Sequence, residues 1–429
     1  MDTVAFTRVE SFFDNAVQID EIKEYGDDRG FVSEVWRLDD DQYNQATPKM
    51  CYYSHTQPFI MRGPHEHTTQ VDFFITIKSQ MLYMFVKGDK ANFFITNPNK
   101  IYRVKVGNGI IHSYRNISTA QTAVTANFPS SLFKGPNKSE PIDEKRYEPE
   151  IEKNKNIYVL GAGGRLGNAV FTSLLQDMGF HKYNVIPVFD KFDDKSIEKL
   201  LDLISHNKFR TENDVIINCI GKTNVQESGS DFMLGNFIIP RILTNFAITE
   251  KIHLVHFSTD YVYQTGNISE YTKSKKSYES WIETLYESQF QYYPELQKYL
   301  HVIRVANLFS QAKTDVHNAV NKIISAYQKG PLNIVENSSI MLTDVAHIAD
   351  FISKKYIHSI TDYPQFINIS GKCYTIEHVI KELFGVTDAK FNYITEPKVI
   401  NNPHLFLNRS NYYQLDCDSA IKEKAKNAR

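Results

Sequence analysis

Residues 156–160, Asn-Ile-Tyr-Val-Leu, form an apolar run that leads directly into Gly161-x-x-Gly164-x-x-Gly167. Few patterns constrain a chain more tightly. The first glycine permits a sharp turn after a buried strand, the second lets a ligand approach the backbone, and the third lets a helix pack on that strand. The free N–H groups of the new helix, around Arg165, Leu166 and Gly167, then face an anion with the positive end of the helix dipole. A glycine cluster alone can be a bare turn. Its place at the start of an alternating strand and helix pattern argues for a binding turn.

That alternation runs on. A helix is expected over Gly164–Met178, a strand over Tyr183–Phe189, a helix over Lys195–Ser205, a strand over Asp214–Asn218 and another over His253–Phe257. Strands and helices in this rhythm predict a doubly wound parallel sheet over 156–429, with a small C-terminal subdomain. The first 148 residues have a different rhythm. Phe73–Ile77, Met81–Val86 and Asn92–Thr96 are aromatic and β-branched runs separated by turn residues, which predicts an all-β sandwich or barrel. The polar segment from Lys134 onward leads to a linker placed at 149–155.

Composition narrows the function classes. The 48 basic and 50 acidic side chains nearly balance, so no nucleic-acid or membrane field is implied. The four cysteines, Cys51, Cys219, Cys373 and Cys417, lack metal-ligand spacing and read as reduced thiols of a cytoplasmic protein. No stretch approaches 18 apolar residues, so a membrane span is not expected.

In the C-terminal half, Ser258-Thr259-Asp260 falls at the C-terminal end of a buried strand, where open parallel sheets bind ligands. Tyr271 and Lys275 are four residues apart and share a helix face. A lysine beside the phenol would lower its pKa and make Tyr271 a proton donor to a carbonyl receiving hydride. Asp190, ending the second strand, would bind a ribose 2′-OH and favour NADH. Arg165 or Lys191 would accept a 2′-phosphate, and the balance leans slightly to NADPH.

These pieces resemble extended short-chain dehydrogenases, and among them the nucleotide-sugar 4-ketoreductases of the dTDP-4-dehydrorhamnose reductase type. Matching segments include the glycine turn, Val215-Ile-Ile-Asn218-Cys219, Asn236, Phe257-Ser-Thr-Asp-Tyr-Val-Tyr263, Tyr271-Thr-Lys-Ser-Lys275 with Glu279, and Val302-Ile-Arg304. The resemblance implies Thr259, Tyr271 and Lys275 as the catalytic set. It places Gly161, Gly164, Arg165, Leu166, Gly167, Asp190, Asn218, Tyr271 and Lys275 around the cofactor. One departure is that Thr259 and Tyr271 are only twelve residues apart, roughly half the family's usual gap.

The N-terminal half holds Arg62-Gly-Pro-His65-Glu-His67 and Gly107-Asn-Gly-Ile-Ile-His112. His65 and His67 alternate on a strand and point the same way. With Asp72 and His112 their spacing resembles the cupin pattern, so these four are candidate metal ligands, with metal-free polar barrel residues as the even alternative. Asp28-Arg29-Gly-Phe-Val-Ser-Glu34 and Arg62-Gly-Pro-His65 also resemble the 3,5-epimerases of dTDP-4-keto-6-deoxyhexoses. That resemblance implies His65 as base, with Arg29, Glu34, Arg62 and His112 as substrate contacts. Two of the family's parts have no counterpart: a lysine where Val71-Asp72-Phe73 stands, and a tyrosine in Asn127-Phe-Pro-Ser-Ser.

The two resemblances together imply a bifunctional enzyme. It would epimerise an NDP-4-keto-6-deoxy-hexose or its 2-acetamido analogue, then reduce C4 to an NDP-6-deoxy-L-hexose such as NDP-L-rhamnose, as a homodimer by analogy. The alternatives are a reductase with the barrel as a binding or oligomerising module, and a dinucleotide-binding regulatory subunit.

Overall fold

The computed structural model describes residues 6–37, 46–147, 155–178, 183–207, 211, 213–223, 230–312, 318–335, 339–386, 391–394, 399–400 and 411–428. Of the expected linker, 149–154 lies outside these residues, and Lys155 opens a strand. Two compact units emerge, one of 1–154 with 178–186, the other of 155–177 with 187–429.

The first unit is a sandwich of two antiparallel sheets. One has six strands in the order Phe6–Phe12, Val17–Ile22, Ile101–Val106, Asp72–Ile77, Ala123–Asn127 and Tyr52–Thr56. The other has five, Lys145–Arg146, Met61–Glu66, Ile111–Asn116, Met81–Lys87 and Lys90–Ile95. The aromatic runs seen in the sequence supply the core. Phe74, Tyr83 and Phe85 pack with Val17, Ile19, Val104 and Ile110. Each such side chain stabilises the fold by about 1.5–3 kcal/mol through removal from water. This is a cupin-like sandwich.

The second unit holds, in sheet order, the strands Lys155–Leu160, Val215–Asn218, His253–Thr259, Leu300–Val305, Phe366–Gly371 and Tyr412–Leu415. From Lys155–Leu160 to Tyr412–Leu415 each strand pairs in parallel with the next. Ile157–Leu160 and Val215–Ile217 are fully buried, as expected where helices cover both faces of a sheet. Predicted boundaries hold to within a residue or two: the first helix spans Arg165–Met178 and the second Asp194–Ser205. Beyond the sheet, the helices Ala319–Gln328 and Asp418–Ala428 join Val379–Leu383 around Phe309, Leu342, Ile380 and Ile421, a smaller core of its own. No helix among the described residues is long and apolar enough to cross a membrane.

Candidate functional sites

The glycine turn is as tight as its spacing implies. Gly161 takes φ +73°, and a Cβ on Gly167 would lie 2.2 Å from the Gly161 carbonyl oxygen. Only hydrogen at position 167 lets the helix start against the turn. The Leu166 side chain is buried, so this residue can offer a ligand only its backbone. The Arg165 guanidinium donates to the Leu308 carbonyl at 2.8 Å. Asp190 and Lys191 stand exposed side by side after the second strand. Asn218 is buried, its Oδ1 accepting from Ile220 N and its amide 3.0 Å from His256 Nδ1. It therefore supports the turn that follows its strand.

Thr259 ends a wholly buried strand. The chain then makes one 3-10 turn, Asp260–Tyr263, before Ser269 caps the helix Glu270–Leu285. This short path still brings the Tyr271 phenol close enough to the Thr259 hydroxyl for that group to lower its pKa. Lys275 stands one turn further along and donates to the Phe257 carbonyl at 2.9 Å. Gly221 lies against its ammonium, where a Cβ would sit 3.6 Å from Nζ. Asn236 bonds the backbone of Lys222 and the hydroxyl of Ser274, tying that segment to the same helix. Glu279, on this helix too, takes a bidentate contact from Arg304 and a hydrogen bond from Ser258.

The electrostatics correct one expectation. Burial pushes the Tyr271 phenol up to about 12, against the nearby Thr259 hydroxyl, which lowers it, and with the Asp260 charge, which raises it. Lys275 does not lower it. Its ammonium is spent on the Phe257 carbonyl, and burial pulls its own pKa down to about 8, partly opposed by Glu279. The phenol is accordingly protonated at neutral pH, as a donor must be. Asp260, absent from the sequence-level site, is a buried carboxyl pushed up to about 7 by burial.

In the sandwich, His65 and His112 face one another across paired strands, with ring centres 4.5 Å apart. Gly63 makes that approach possible, since a Cβ there would lie 2.6 Å from the His112 carbonyl oxygen. His65 and His67 do share a side, at 5.1 Å. Asp72 enters from the other sheet. One ligand atom from each of His65, His67, Asp72 and His112 lies within 4.8 Å of the others.

The hydrogen bonds fix the tautomers. His67 Nδ1 faces the Asp143 carbonyl and His112 Nδ1 faces the Ile110 carbonyl, so both Nδ1 atoms carry hydrogen. Their Nε2 atoms then lie 3.3 and 3.5 Å from Asp72 Oδ2. A neutral imidazole would set lone pair against carboxylate. Imidazoles tethered through Nδ1 to backbone carbonyls, with Nε2 turned toward a carboxylate, are a set that would suit a metal ion. Burial alone would raise Asp72, but His112 and His67 hold it well below the usual range. For His67 burial acts downward, and the Asp72 contact outweighs it to give a net rise. His65 is lowered to about 3 by burial and then by His112 and His67.

A cavity of about 960 Å³ opens onto His65 and His67. Arg62 lines it, as expected. Arg29 and Glu34 do not: their hairpin folds back on itself, Arg29 pairing with Asp27 and Glu34 with Arg37. The cavity is also lined by Tyr52, Tyr114, Lys134, Lys138 and Arg146, none of which the sequence reading named. Tyr52 stands directly opposite Asn127 in the strand register, and Asn127 Nδ2 contacts both its hydroxyl (2.9 Å) and Asp72 Oδ1 (2.8 Å). The phenol missing from one strand is thus present on its neighbour. Glu144 lies 3.5 Å from His65 Nδ1.

Residues 155–366 match the family model described as the RmlD substrate binding domain. The C-terminal unit is RmlD-like. Among solved structures, the dTDP-4-dehydrorhamnose reductase of Bacillus anthracis, in complex with NADP, is 20% identical, with 64% of this chain and 98% of that one covered at a TM-score of 0.45. For the N-terminal half, the probable low-salt glycan biosynthesis epimerase Agl13 of Haloferax volcanii is 26% identical over 126 residues, 27% of this chain and 79% of that protein. The dTDP-6-deoxy-D-glucose-3,5-epimerase RmlC of Legionella pneumophila, in complex with dTDP-4-keto-L-rhamnose, covers 30% of this chain and 73% of its own at 18% identity and a TM-score of 0.27. In the RmlD-like unit, Thr259, Tyr271 and Lys275 all fall inside the matched residues.

Proposed function

We propose that this chain is a nucleotide-sugar modifying enzyme that epimerises an NDP-4-keto-6-deoxy-hexose in the sandwich and reduces its C4 ketone in the RmlD-like unit. The observation that carries the reading is that Tyr271 and Lys275 lie one turn apart on the helix Glu270–Leu285, with Lys275 bonded to the strand that ends in Thr259, in a unit that opens with a tight glycine turn. NAD(P)H, when bound, supplies the hydride. The turn's N–H groups hold its pyrophosphate, Thr259 orients the phenol, and Tyr271 passes its proton to the carbonyl oxygen. Buried Lys275 ties this helix to the strand that carries Thr259 through the Phe257 carbonyl.

In the sandwich, C3 and C5 flank the ketone and are acidified by it. His65, neutral and open to the cavity, is placed to take such a proton. Tyr52 and Tyr114 line the same cavity as proton donors. A divalent ion held by His65, His67, Asp72 and His112 would supply Lewis acidity toward an enolate oxygen. His65 cannot be ligand and base at once. A second reading, reduction alone with the sandwich as a binding module, is favoured by one observation: a base whose pKa falls to about 3 is poorly matched to neutral pH.

The test is product analysis by NMR from an NDP-4-keto-6-deoxy-glucose with and without NADPH. An L-configured 6-deoxy sugar is expected from the wild type. His65→Ala should lose it and regain it when a separate epimerase is added. Direct reduction of the D-configured ketone by the wild type would leave the reductase-only reading standing.

A further inference from the structure

The helix Glu270–Leu285 carries a third polar residue in line with the two already described. Tyr271, Lys275 and Glu279 follow one another at intervals of four and share one face. That face docks along the end of the strand His253–Thr259. Lys275 donates to the Phe257 carbonyl at 2.9 Å, and Glu279 Oε1 accepts from the Ser258 hydroxyl at 2.5 Å. Arg304 sits opposite Ser258 on the next strand and grips the same buried carboxylate, with Nε 3.0 Å and Nη2 2.8 Å from Oε2. Arg304 also reaches past it. Its Nη1 donates to the Tyr263 hydroxyl at 2.8 Å, and its guanidinium lies over the Tyr263 and Phe366 rings. Tyr263 ends the 3-10 turn Asp260–Tyr263. Within that turn, Tyr261 donates to Asn307 Oδ1 at 3.1 Å and sets its ring edge-on to Tyr271, with centres 6.1 Å apart. One ion pair therefore holds both the helix that presents Tyr271 and the turn that packs against it.

The side chains of Arg304 and Glu279 are 14% and 9% exposed, so both charges have left water. Such a pair is a poor source of stability, because desolvation cancels much of the attraction and well-packed apolar residues often do as well. What it supplies is direction. Glu279 fixes the helix on Ser258, the residue before Thr259, while Arg304 fixes the turn that follows. We propose that Glu279 and Arg304 are positioning residues of the reductase site, setting where the Tyr271 phenol stands relative to the strand end at Thr259. Neither touches a reacting atom. The proposal rests on the reading of Tyr271 as the proton donor.

The test is the double variant Glu279→Leu, Arg304→Met in the full chain, which exchanges the pair for apolar side chains of similar length. Glu279→Gln is the milder change, keeping an acceptor for Ser258 and losing the charge. The unfolding midpoint of the double variant should stay near that of the wild type. With NADPH and dTDP- or UDP-4-keto-6-deoxy-glucose pre-treated with a separate epimerase, its kcat should fall by about tenfold to 10²-fold while KM and NADPH affinity hold. A role in stability alone would not split the measurements in this way. A second readout needs no turnover. In protein labelled with 13C at the tyrosine ring Cζ, the Tyr271 signal, assigned by its loss in Tyr271→Phe, should shift in the double variant. An unchanged kcat or an unmoved Tyr271 signal in the folded double variant would overturn the proposal. If the double variant does not fold, the same two results in Glu279→Gln would overturn it. A shifted signal in a chain whose wild type reduces no ketone would leave the pair holding Tyr271 and remove the reductase reading instead.

Discussion

At the scale of single residues, what could be read in advance was what neighbours in sequence determine. Tyr271 and Lys275 were legible because four residues make a helical turn, and His65 and His67 because alternation puts both on one side. Which way Lys275 pointed was not legible. Its partner is a carbonyl eighteen residues back, and that contact is set by how the helix lies on the strand. Replacing Tyr271 by Phe keeps the ring against Phe232 and Tyr261 but removes the hydroxyl. NADPH-dependent reduction should fall by about 10²-fold or more with cofactor binding retained, as stopped-assay kinetics and fluorescence titration would show. Near-normal turnover would remove Tyr271 from the mechanism. Asp72 is the buried carboxylate that both His67 and His112 face. Asp72→Ala should destabilise the sandwich by about 3 kcal/mol in a denaturant titration. Added zinc should raise the wild-type midpoint and leave that of Asp72→Ala unmoved. No shift in the wild type would show that the cluster does not hold zinc.

Among the elements, the most informative are the ones that connect strands. The glycine turn permits one prediction. Gly167→Ala pushes a methyl into the Gly161 carbonyl, so the helix must move off the turn. We expect a loss of about 1–3 kcal/mol and a weaker NADPH dissociation constant, where an unchanged constant would show that the turn holds no ligand. The segment before the linker permits another. The Asp143 carboxylate accepts from the backbone N–H groups of Thr68, Thr69 and Gln70 and from both threonine hydroxyls. Burial is the largest single influence and opposes its charge, but these donors together outweigh it and hold its pKa well below the usual range. A depressed carboxyl contributes stability above its unfolded pKa and loses it as pH falls toward the folded value. Asp143→Ala should make the chain between 131 and 142 easier to cut by protease at neutral pH, and the wild type should approach the variant only in strong acid. Equal cutting at neutral pH would show that the clamp has no hold on the segment. Neither the Asp143 clamp nor the Tyr52–Asn127 pairing could be read from sequence, because both join residues more than seventy positions apart.

For the molecule as a whole, the change of rhythm near residue 150 foretold two architectures, and strand alternation foretold the class of each. The order of strands within the sandwich was not foretold, since short strands of similar composition pair equally well on paper. The units have cores of their own, around Phe74 and Phe85 in one, and around the buried strands of the parallel sheet in the other. Calorimetry should therefore resolve two transitions, and NADPH should raise only one of them, by an amount that grows with ligand concentration. A single transition that moves as a whole would show that the units unfold together. Separate cores also set how such a chain fails. A substitution that loosens the sandwich can leave the C-terminal unit folded, so a simple measure of protein level would miss the defect. On the proposed function, a fault in one half would then surface as a stranded or wrongly configured ketone, not as missing protein.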